Sequence, residues 1–140
     1  MRMKKNILVV CDDNTLYSKI AEGYFKKYAG HWKNIFSAGV SINGKNISPE
    51  LLTLLERYDL PMIDFKLMSV EDYNSVTIDY VITLTKKAYD YCANKQIGKE
   101  ITFFPVDVDS IKDIGKISDD IKDKVLKFVK YGPIKRWLEQ

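Results

Sequence analysis

The stretch Ile7-Leu-Val-Val-Cys11-Asp-Asp-Asn-Thr-Leu-Tyr17-Ser-Lys-Ile-Ala-Glu-Gly23 predicts a β-strand that is followed by a short loop and an α-helix. Its first four residues, 7–10, are aliphatic and predict a strand that is buried in a parallel sheet. From Ser18 onward the apolar spacing is helical, with Ser18 as the predicted N-cap and Glu22 adding negative charge to the first turn. The apolar positions of this helix are Ile20, Ala21, Tyr24, Phe25 and Tyr28.

The loop between this strand and this helix begins with Cys11. A loop that enters a helix N-terminus presents backbone N–H groups to an anion, and the same helix dipole lowers the pKa of a cysteine thiol. We therefore predict that Cys11 is a reactive or ligand-facing thiol, with a small buried residue that ends the strand as the alternative. The predicted anion loop comprises Asp12, Asp13, Asn14, Thr15, Leu16, Tyr17 and Ser18.

The rest of the chain alternates strands and helices. Strands are predicted at 34–37, 79–84 and 101–106, and helices at 86–95 and 119–131, with a short acidic helix at 70–74 and a last turn at 134–139. Another helix begins at Ser48 and Pro49 and ends at Leu60-Pro61. This order predicts an α/β fold, a single doubly wound domain over residues 1–140. Its four-stranded parallel sheet has strand order 2-1-3-4, with helices on both faces and Cys11 at a carboxyl end.

The spacing of apolar residues predicts the buried face of two of these helices. The helix after Ser48 carries Leu51, Leu52, Leu54, Leu55 and Tyr58 on its apolar face. The long helix at 119–131 directs Ile121, Val125, Phe128 and Val129 inward.

Composition excludes several classes of function. The net charge is +3 and the lysines are scattered among acids, which argues against a nucleic-acid partner. No apolar run approaches the ~20 residues that span a membrane, and residues 7–10 are too short for a signal sequence, so we expect a cytoplasmic protein. The two cysteines are expected to be free thiols. With His31 as the sole histidine, we expect no metal site and no cofactor.

Cys11, Asn14 and Ser18 resemble the anion loop of low-molecular-weight protein tyrosine phosphatases and thioredoxin-coupled arsenate reductases. The family loop has a cysteine, five residues, arginine and serine, whereas this chain has Tyr17 in place of the arginine. Asp13 stands where the family usually has glycine, whose backbone freedom an aspartate lacks. Ser37-Ala38-Gly39 also matches the Ser-Ala-Gly of the second strand in the phosphatases.

The resemblance implies that Cys11 is a nucleophile that forms a phosphocysteine. In the family an arginine grips two phosphate oxygens and a later aspartate protonates the leaving group. Asp107, in Pro105-Val-Asp-Val-Asp109, is our candidate for that acid. The alternatives are that Asp109 is the acid or that both are solvated loop residues.

The arsenate reductases pass a disulfide to two further cysteines seven residues apart. Here Thr85 and Cys92 stand at those positions, so a three-cysteine relay is impossible with two cysteines. Cys92 is either a candidate redox partner of Cys11 or an ordinary packed helix residue. Tyr89 and Tyr91 either line the rim of the pocket or simply pack.

The charge of the loop argues for a family member with a degenerate phosphate site. Asp12, Asp13 and the missing arginine should move the pKa of Cys11 back toward or above ~8.5. Phosphatase activity is then weak or absent, and the partner is a phosphorylated protein or a small oxyanion. Two other interpretations stay open: an active phosphatase or arsenate-handling enzyme with an unusual loop, and a non-catalytic module that binds an anion or a protein.

Two other doubly wound families share part of this pattern. Response-regulator receivers open with a similar acidic pair, but they need an aspartate at the end of the third strand, where residues 79–85 have none. The IIB components of sugar phosphotransferase systems carry a cysteine loop without arginine, but that loop is rich in glycine and serine. Ser37-Ala38-Gly39 fits neither family. The sequence makes no prediction of oligomeric state.

Overall fold

The computed structural model describes residues 4–61, 63–106 and 113–132. Four strands alternate with four α-helices in it. The strands are β1 (Lys5–Cys11), β2 (Lys33–Gly39), β3 (Tyr80–Thr83) and β4 (Glu100–Phe103). The helices are α1 (Tyr17–Ala29), α2 (Glu50–Arg57), α3 (Lys86–Asn94) and α4 (Ile114–Tyr131), and a 3₁₀ helix spans Val70–Tyr73. No helix among these described residues is long and apolar enough to cross a bilayer.

The four strands form one parallel sheet in the order β2-β1-β3-β4. This confirms the predicted fold class and strand order. Strand β1 lies in the centre of the sheet, and Cys11 is its last residue, paired with Gly39 of β2. The cysteine therefore lies at the carboxyl end of a central strand, where open α/β sheets bind their ligands.

Alternate residues of β1 enter two separate cores, because successive side chains of a strand point to opposite faces. The larger core lies against α1, α2 and α4 and contains Ile7, Val9, Cys11, Ile20, Tyr24, Phe25, Leu51, Leu54, Leu55, Ile117, Ile121, Val125 and Phe128. The smaller core lies against α3 and contains Leu8, Val10, Ala38, Val70, Ile78, Val81, Ala88 and Cys92. Helices therefore cover both faces, and β1 is buried on both, as predicted.

The N-terminal end of helix α1 differs from the one predicted. It begins at Tyr17, with Leu16 at the N-cap position and no side-chain cap. The prediction of Ser18 as N-cap was wrong, because the Ser18 hydroxyl is buried against Asn14 and Cys11. Glu22 is buried as well and lies beyond the first turn.

The starts of α2 and α4 also differ from the predictions. Pro49 occupies the N-cap position of α2, where Ser48 was predicted, and no side chain caps that helix. Helix α4 begins at Ile114 rather than at 119, since the Asp113 side chain accepts a hydrogen bond from the Gly115 N–H. Val129 and Leu52, both predicted to be inward, are 39% and 47% exposed. The predicted last turn, 134–139, lies outside the described residues.

Gly39 allows the Cys11 loop to lie directly on the end of β2. A Cβ atom at this position would come within 2.6 Å of the carbonyl carbon of Asp13 and 2.8 Å of the Asn14 nitrogen. Both atoms belong to backbone, which cannot move aside without displacing the loop. Glycine is required at this position by close approach of the chain, and not by an unusual backbone angle.

We expect Gly39→Ala to lower the free energy of unfolding by about 1–3 kcal/mol, the usual cost of overpacking a tight site. Gly23→Ala is the matched control, because its added methyl group would meet the flexible Leu60 side chain at 3.3 Å and lies within a helix that favours alanine. Urea unfolding measures both variants. Equal stability of Gly39→Ala and the wild type would contradict the close approach.

Candidate active site

The loop from Cys11 to Ser18 surrounds a buried thiol. Cys11 is 2% exposed, and its Sγ lies 3.0 Å from the hydroxyl oxygen of Ser18. The backbone N–H groups of Asp13, Asn14 and Ser18 also donate to the sulfur. Burial raises the pKa of the Cys11 thiol, and these donors, which favour the thiolate, offset that effect only in part. The strand-loop-helix geometry thus surrounds the Cys11 sulfur with backbone N–H groups and the Ser18 hydroxyl without giving its thiol a low pKa.

Asn14 holds the loop in shape. Its backbone lies in the left-handed region, with φ of 60°, which asparagine adopts more readily than most residues. Its side-chain Oδ1 accepts a hydrogen bond of 2.9 Å from the Met68 backbone N–H. Its Nδ2 donates to Ser18 Oγ at 2.8 Å and to Ser37 Oγ at 3.0 Å.

These bonds fix which atoms donate and which accept. The Met68 N–H can act only as a donor, so the carbonyl oxygen of Asn14 must face it and the amide nitrogen must face the two serines. Each serine oxygen therefore accepts from Asn14. In the thiol form, Cys11 Sγ donates to Ser18 Oγ. When the thiol ionises, the hydroxyl hydrogen of Ser18, which Asn14 leaves free to turn, can donate to the sulfur and stabilise the thiolate.

The hydroxyl of Ser37 donates in the opposite direction, to a buried carboxylate. Ser37 Oγ lies 2.5 Å from Glu22 Oε1. The other oxygen of Glu22 accepts from Lys26 at 2.6 Å, and the buried Lys19 ammonium lies 4.0 Å from Oε1. A continuous set of hydrogen bonds thus runs from this ion-paired carboxylate through Ser37, Asn14 and Ser18 to the thiol.

The two acidic side chains of the loop are both engaged. Thr85 donates its hydroxyl hydrogen to Asp12 Oδ1 at 2.6 Å and accepts from the Ala88 N–H, which caps α3. Asp13 Oδ1 accepts from the Thr15 N–H at 3.1 Å and from the Thr15 hydroxyl at 2.7 Å. The expectation that Asp13 needs the backbone freedom of glycine was wrong, because the positive φ of the loop belongs to Asn14.

Comparison with known proteins identifies the family. Residues 6–131 match the family model described as low molecular weight phosphotyrosine protein phosphatase. The chain belongs to this family. It is 25% identical over 135 residues to an arsenate reductase of Brevibacillus brevis, covering 94% of this chain and 99% of that protein.

Two solved structures share the fold. The low molecular weight protein tyrosine phosphatase of Streptococcus pyogenes has a TM-score of 0.75 at 21% identity, over 97% of this chain and 98% of that one. The thioredoxin-dependent arsenate reductase of Corynebacterium glutamicum has a TM-score of 0.74 at 23% identity. That match covers 98% of this chain but 64% of the Corynebacterium chain.

Tyr17 occupies the position where the resemblance to the phosphatases implies an arginine. Tyr17 is the first residue of α1, is partly buried and packs against the larger core. Lys19 is the first basic residue after Cys11 in the sequence, and its ammonium is directed away to the carbonyls of Asp64 and Lys66. Residues 11–18 therefore present a backbone cradle that contains two carboxylates and no cationic side chain.

Cys92 lies on the other side of β1 from Cys11. It belongs to the smaller core, whereas Cys11 belongs to the larger one, and both are free thiols. Burial raises the pKa of Cys92 to about 11. Cys92 packs in this smaller core, and an exchange with Cys11 would require movement across the sheet.

The other residues named in the sequence analysis are the two candidate acids, the histidine and two tyrosines of α3. Asp107 and Asp109 lie outside the described residues, so the leaving-group acid stays a prediction. His31 is exposed beside Trp32. Tyr91 donates to Glu71, and Tyr89 packs its ring on Phe103. Among residues 4–61, 63–106 and 113–132 there is no cluster of side chains that could hold a metal ion.

Sequence reasoning missed the contributions of Lys19, Glu22 and Met68. Lys19 and Glu22 are charged residues on a helix, which usually face solvent. On the helical wheel both lie outside the stripe of Ile20, Ala21 and Tyr24, so no pattern in the sequence marked them as buried. The role of Met68 rests on its backbone N–H, which no side-chain pattern could reveal.

We expect Cys11 to be alkylated slowly by iodoacetamide at pH 7, with the rate rising through pH ~8.5 or higher, because the thiolate is the nucleophile. Ser18→Ala should move this profile upward by about half a pH unit, since the sulfur loses one donor. Mass spectrometry of the labelled peptide separates Cys11 from Cys92. An apparent pKa below ~6 for Cys11 would contradict this account.

The buried thiols also predict a pH dependence of stability. The pKa values of Cys11 and Cys92 are raised in the folded state, so the unfolded chain ionises first and stability falls as pH rises past ~8.5. Urea unfolding between pH 7.5 and 10.5 should show a shallower decline for Cys92→Ala than for the wild type. Parallel declines in the two proteins would contradict the raised pKa of Cys92.

Proposed function

We propose that this family member is a phosphatase-like protein whose anion loop is degenerate, with weak or no turnover of phosphate esters. The observation that carries the proposal is a complete hydrogen-bonded frame around Cys11 in a loop without a cation. The frame supports binding of a small oxyanion, either free or as the phosphoryl group of a protein. The charge of the loop argues against efficient catalysis.

Catalysis would require Cys11 to attack phosphorus as a thiolate, forming an S–P bond as the P–O bond to the leaving group breaks. The leaving oxygen would take a proton from an acid, for which Asp107 is the candidate. Water would then release phosphate and restore the thiol. The raised pKa of Cys11 leaves little thiolate for the first step at neutral pH.

The transition state would also lack its usual electrostatic support. Tyr17 can supply one neutral hydrogen bond, whereas a guanidinium supplies two that are charge-assisted. Losing even one preorganised donor at a transition-state oxygen costs about 10²–10³ in rate. A carboxylate ~6 Å from a phosphate dianion adds about 1–5 kcal/mol of repulsion. Thr85 and Thr15 hydrogen-bond to Asp12 and Asp13, but a neutral hydroxyl does not remove this repulsion.

Arsenate reduction is the second candidate, favoured by the name of the Brevibacillus relative. It needs two electrons, which one thiol pair could supply by forming a disulfide. The positions of Cys11 and Cys92 on opposite faces of β1 weigh against that pair. A non-catalytic module that binds an anion or a protein remains compatible with the same loop.

We expect the wild type to hydrolyse p-nitrophenyl phosphate at least ~10³-fold more slowly, in kcat/KM, than an active family member. Tyr17→Arg should recover part of this loss by supplying the bidentate cation. Tyr17→Phe is the matched control, since it keeps the ring and adds no charge. Adding Asp13→Gly should recover more, because it removes one negative charge and frees the Thr15 N–H.

The effects of Tyr17→Arg and Asp13→Gly on kcat/KM should be non-additive, because both residues act on one bound phosphate. Cys11→Ser serves as the baseline for every rate. Efficient wild-type turnover that is lost in Cys11→Ser would refute the degenerate loop and favour the active enzyme. No gain in the double variant would indicate that charge is not what limits the site.

A further inference from the structure

Lys19 is a charged residue in an unusual place. It is 1% exposed, although an ammonium group loses much of its hydration when it is removed from water. Its Nζ donates to the backbone carbonyls of Asp64 at 2.8 Å and Lys66 at 2.9 Å, with Glu22 Oε1 at 4.0 Å. The lysine therefore joins helix α1 to a segment, 64–68, that is distant in sequence.

The two carbonyls converge because segment 64–68 begins with a tight turn. The Asp64 carboxylate accepts a hydrogen bond of 2.9 Å from the Lys66 N–H, as in an Asx turn. The side chains of Asp64, Phe65 and Lys66 are exposed, so little hydrophobic packing holds this turn in place. The backbone bonds to Lys19 are its main attachment to α1 that the structure describes.

The other end of this segment contacts the anion loop. The Met68 N–H donates to Asn14 Oδ1 at 2.9 Å, and the Met68 carbonyl accepts from the Gly39 N–H at 2.8 Å. The first of these bonds orients the Asn14 amide, which in turn leaves the Ser18 hydroxyl available to Cys11. Displacement of segment 64–68 would release that orientation.

We propose that Lys19 is a positioning residue of the anion loop. By fastening segment 64–68 to α1, it holds the Met68 amide against Asn14 and so keeps the Ser18 hydroxyl directed at Cys11. The inference rests on the proposed function in one respect, that Cys11 is the thiol of the anion site. It assigns a role in shaping the anion loop to a residue that lies outside residues 11–18. Lys19 is also outside the positions at which this chain resembles the phosphatases.

Charged groups around Lys19 act in both directions on its ammonium form. Burial lowers the pKa of Lys19, whereas Glu22, Asp64 and an ionised Cys11 favour its charged form and Lys26 opposes it. The ammonium form also donates more strongly to the carbonyls of Asp64 and Lys66 than a neutral amine would, because its hydrogen bonds are charge-assisted.

The test is the pH profile of Cys11 alkylation by iodoacetamide in Lys19→Met. The apparent pKa should rise by up to about half a unit, the shift expected for Ser18→Ala, so that labelling at pH 8 slows by up to about threefold. Lys27→Met is the matched control, since Lys27 lies on the same helix and also donates to two backbone carbonyls, those of Tyr58 and Asp59. Its Cys11 profile should match that of the wild type.

Two further variants separate positioning from general destabilisation. Lys19→Arg keeps the charge and the donors and should restore most of the profile. In a Ser18→Ala background, Lys19→Met should produce little additional shift, because the group through which it acts is gone. If Lys19→Met does not fold, Lys19→Gln, which keeps a donor to one carbonyl, is measured in its place.

A folded Lys19→Met with the wild-type profile would overturn the inference, as would an equal shift with and without Ser18. This assay uses no phosphate ester. Its failure is therefore distinguishable from failure of the proposed function, which is judged by turnover.

Discussion

The side-chain amide of Asn14 is the contact on which the site depends. It bonds to Met68, Ser18 and Ser37 at once, from the left-handed position in the loop. Because the partner on its oxygen side is an obligatory donor, this one amide makes the hydroxyl oxygens of Ser18 and Ser37 acceptors of its two N–H hydrogens. Buried polar networks of this kind specify a unique arrangement when all members are satisfied. Among the described residues, no buried side-chain polar atom lacks a partner.

The contacts that give the loop its shape are different from the side chains that give it its charge. The bonds that shape the loop run through Asn14, Ser18 and the backbone. They are all present with Tyr17 at the position where the resemblance implies an arginine. The frame also accommodates Asp12 and Asp13, because the hydroxyl groups of Thr85 and Thr15 donate hydrogen bonds to them. We propose on this basis that the loop keeps a hydrogen-bonded frame around Cys11 while lacking the charge that complements a phosphate.

The sequence allowed the sheet, its strand order and the place of Cys11 to be predicted, because these follow from aliphatic runs and from alternation of elements. Helix starts were less predictable. Ser18 resembles an N-cap in sequence, yet its hydroxyl bonds to Asn14 and Cys11 instead. The roles of Lys19 and Met68 were not accessible, since they depend on backbone carbonyls and an N–H group brought together by tertiary structure. Asp107 and Asp109 fall outside the described residues.

The most direct test of the central claim is calorimetric titration of orthovanadate or inorganic phosphate into the wild type and Tyr17→Arg. If the frame is intact and only the charge is wrong, the arginine should tighten binding by about 10- to 100-fold, the worth of one charge-assisted pair of hydrogen bonds. Tyr17→Phe should show no such gain. Wild-type affinity equal to that of Tyr17→Arg would contradict the account, because the existing loop would then already complement the anion.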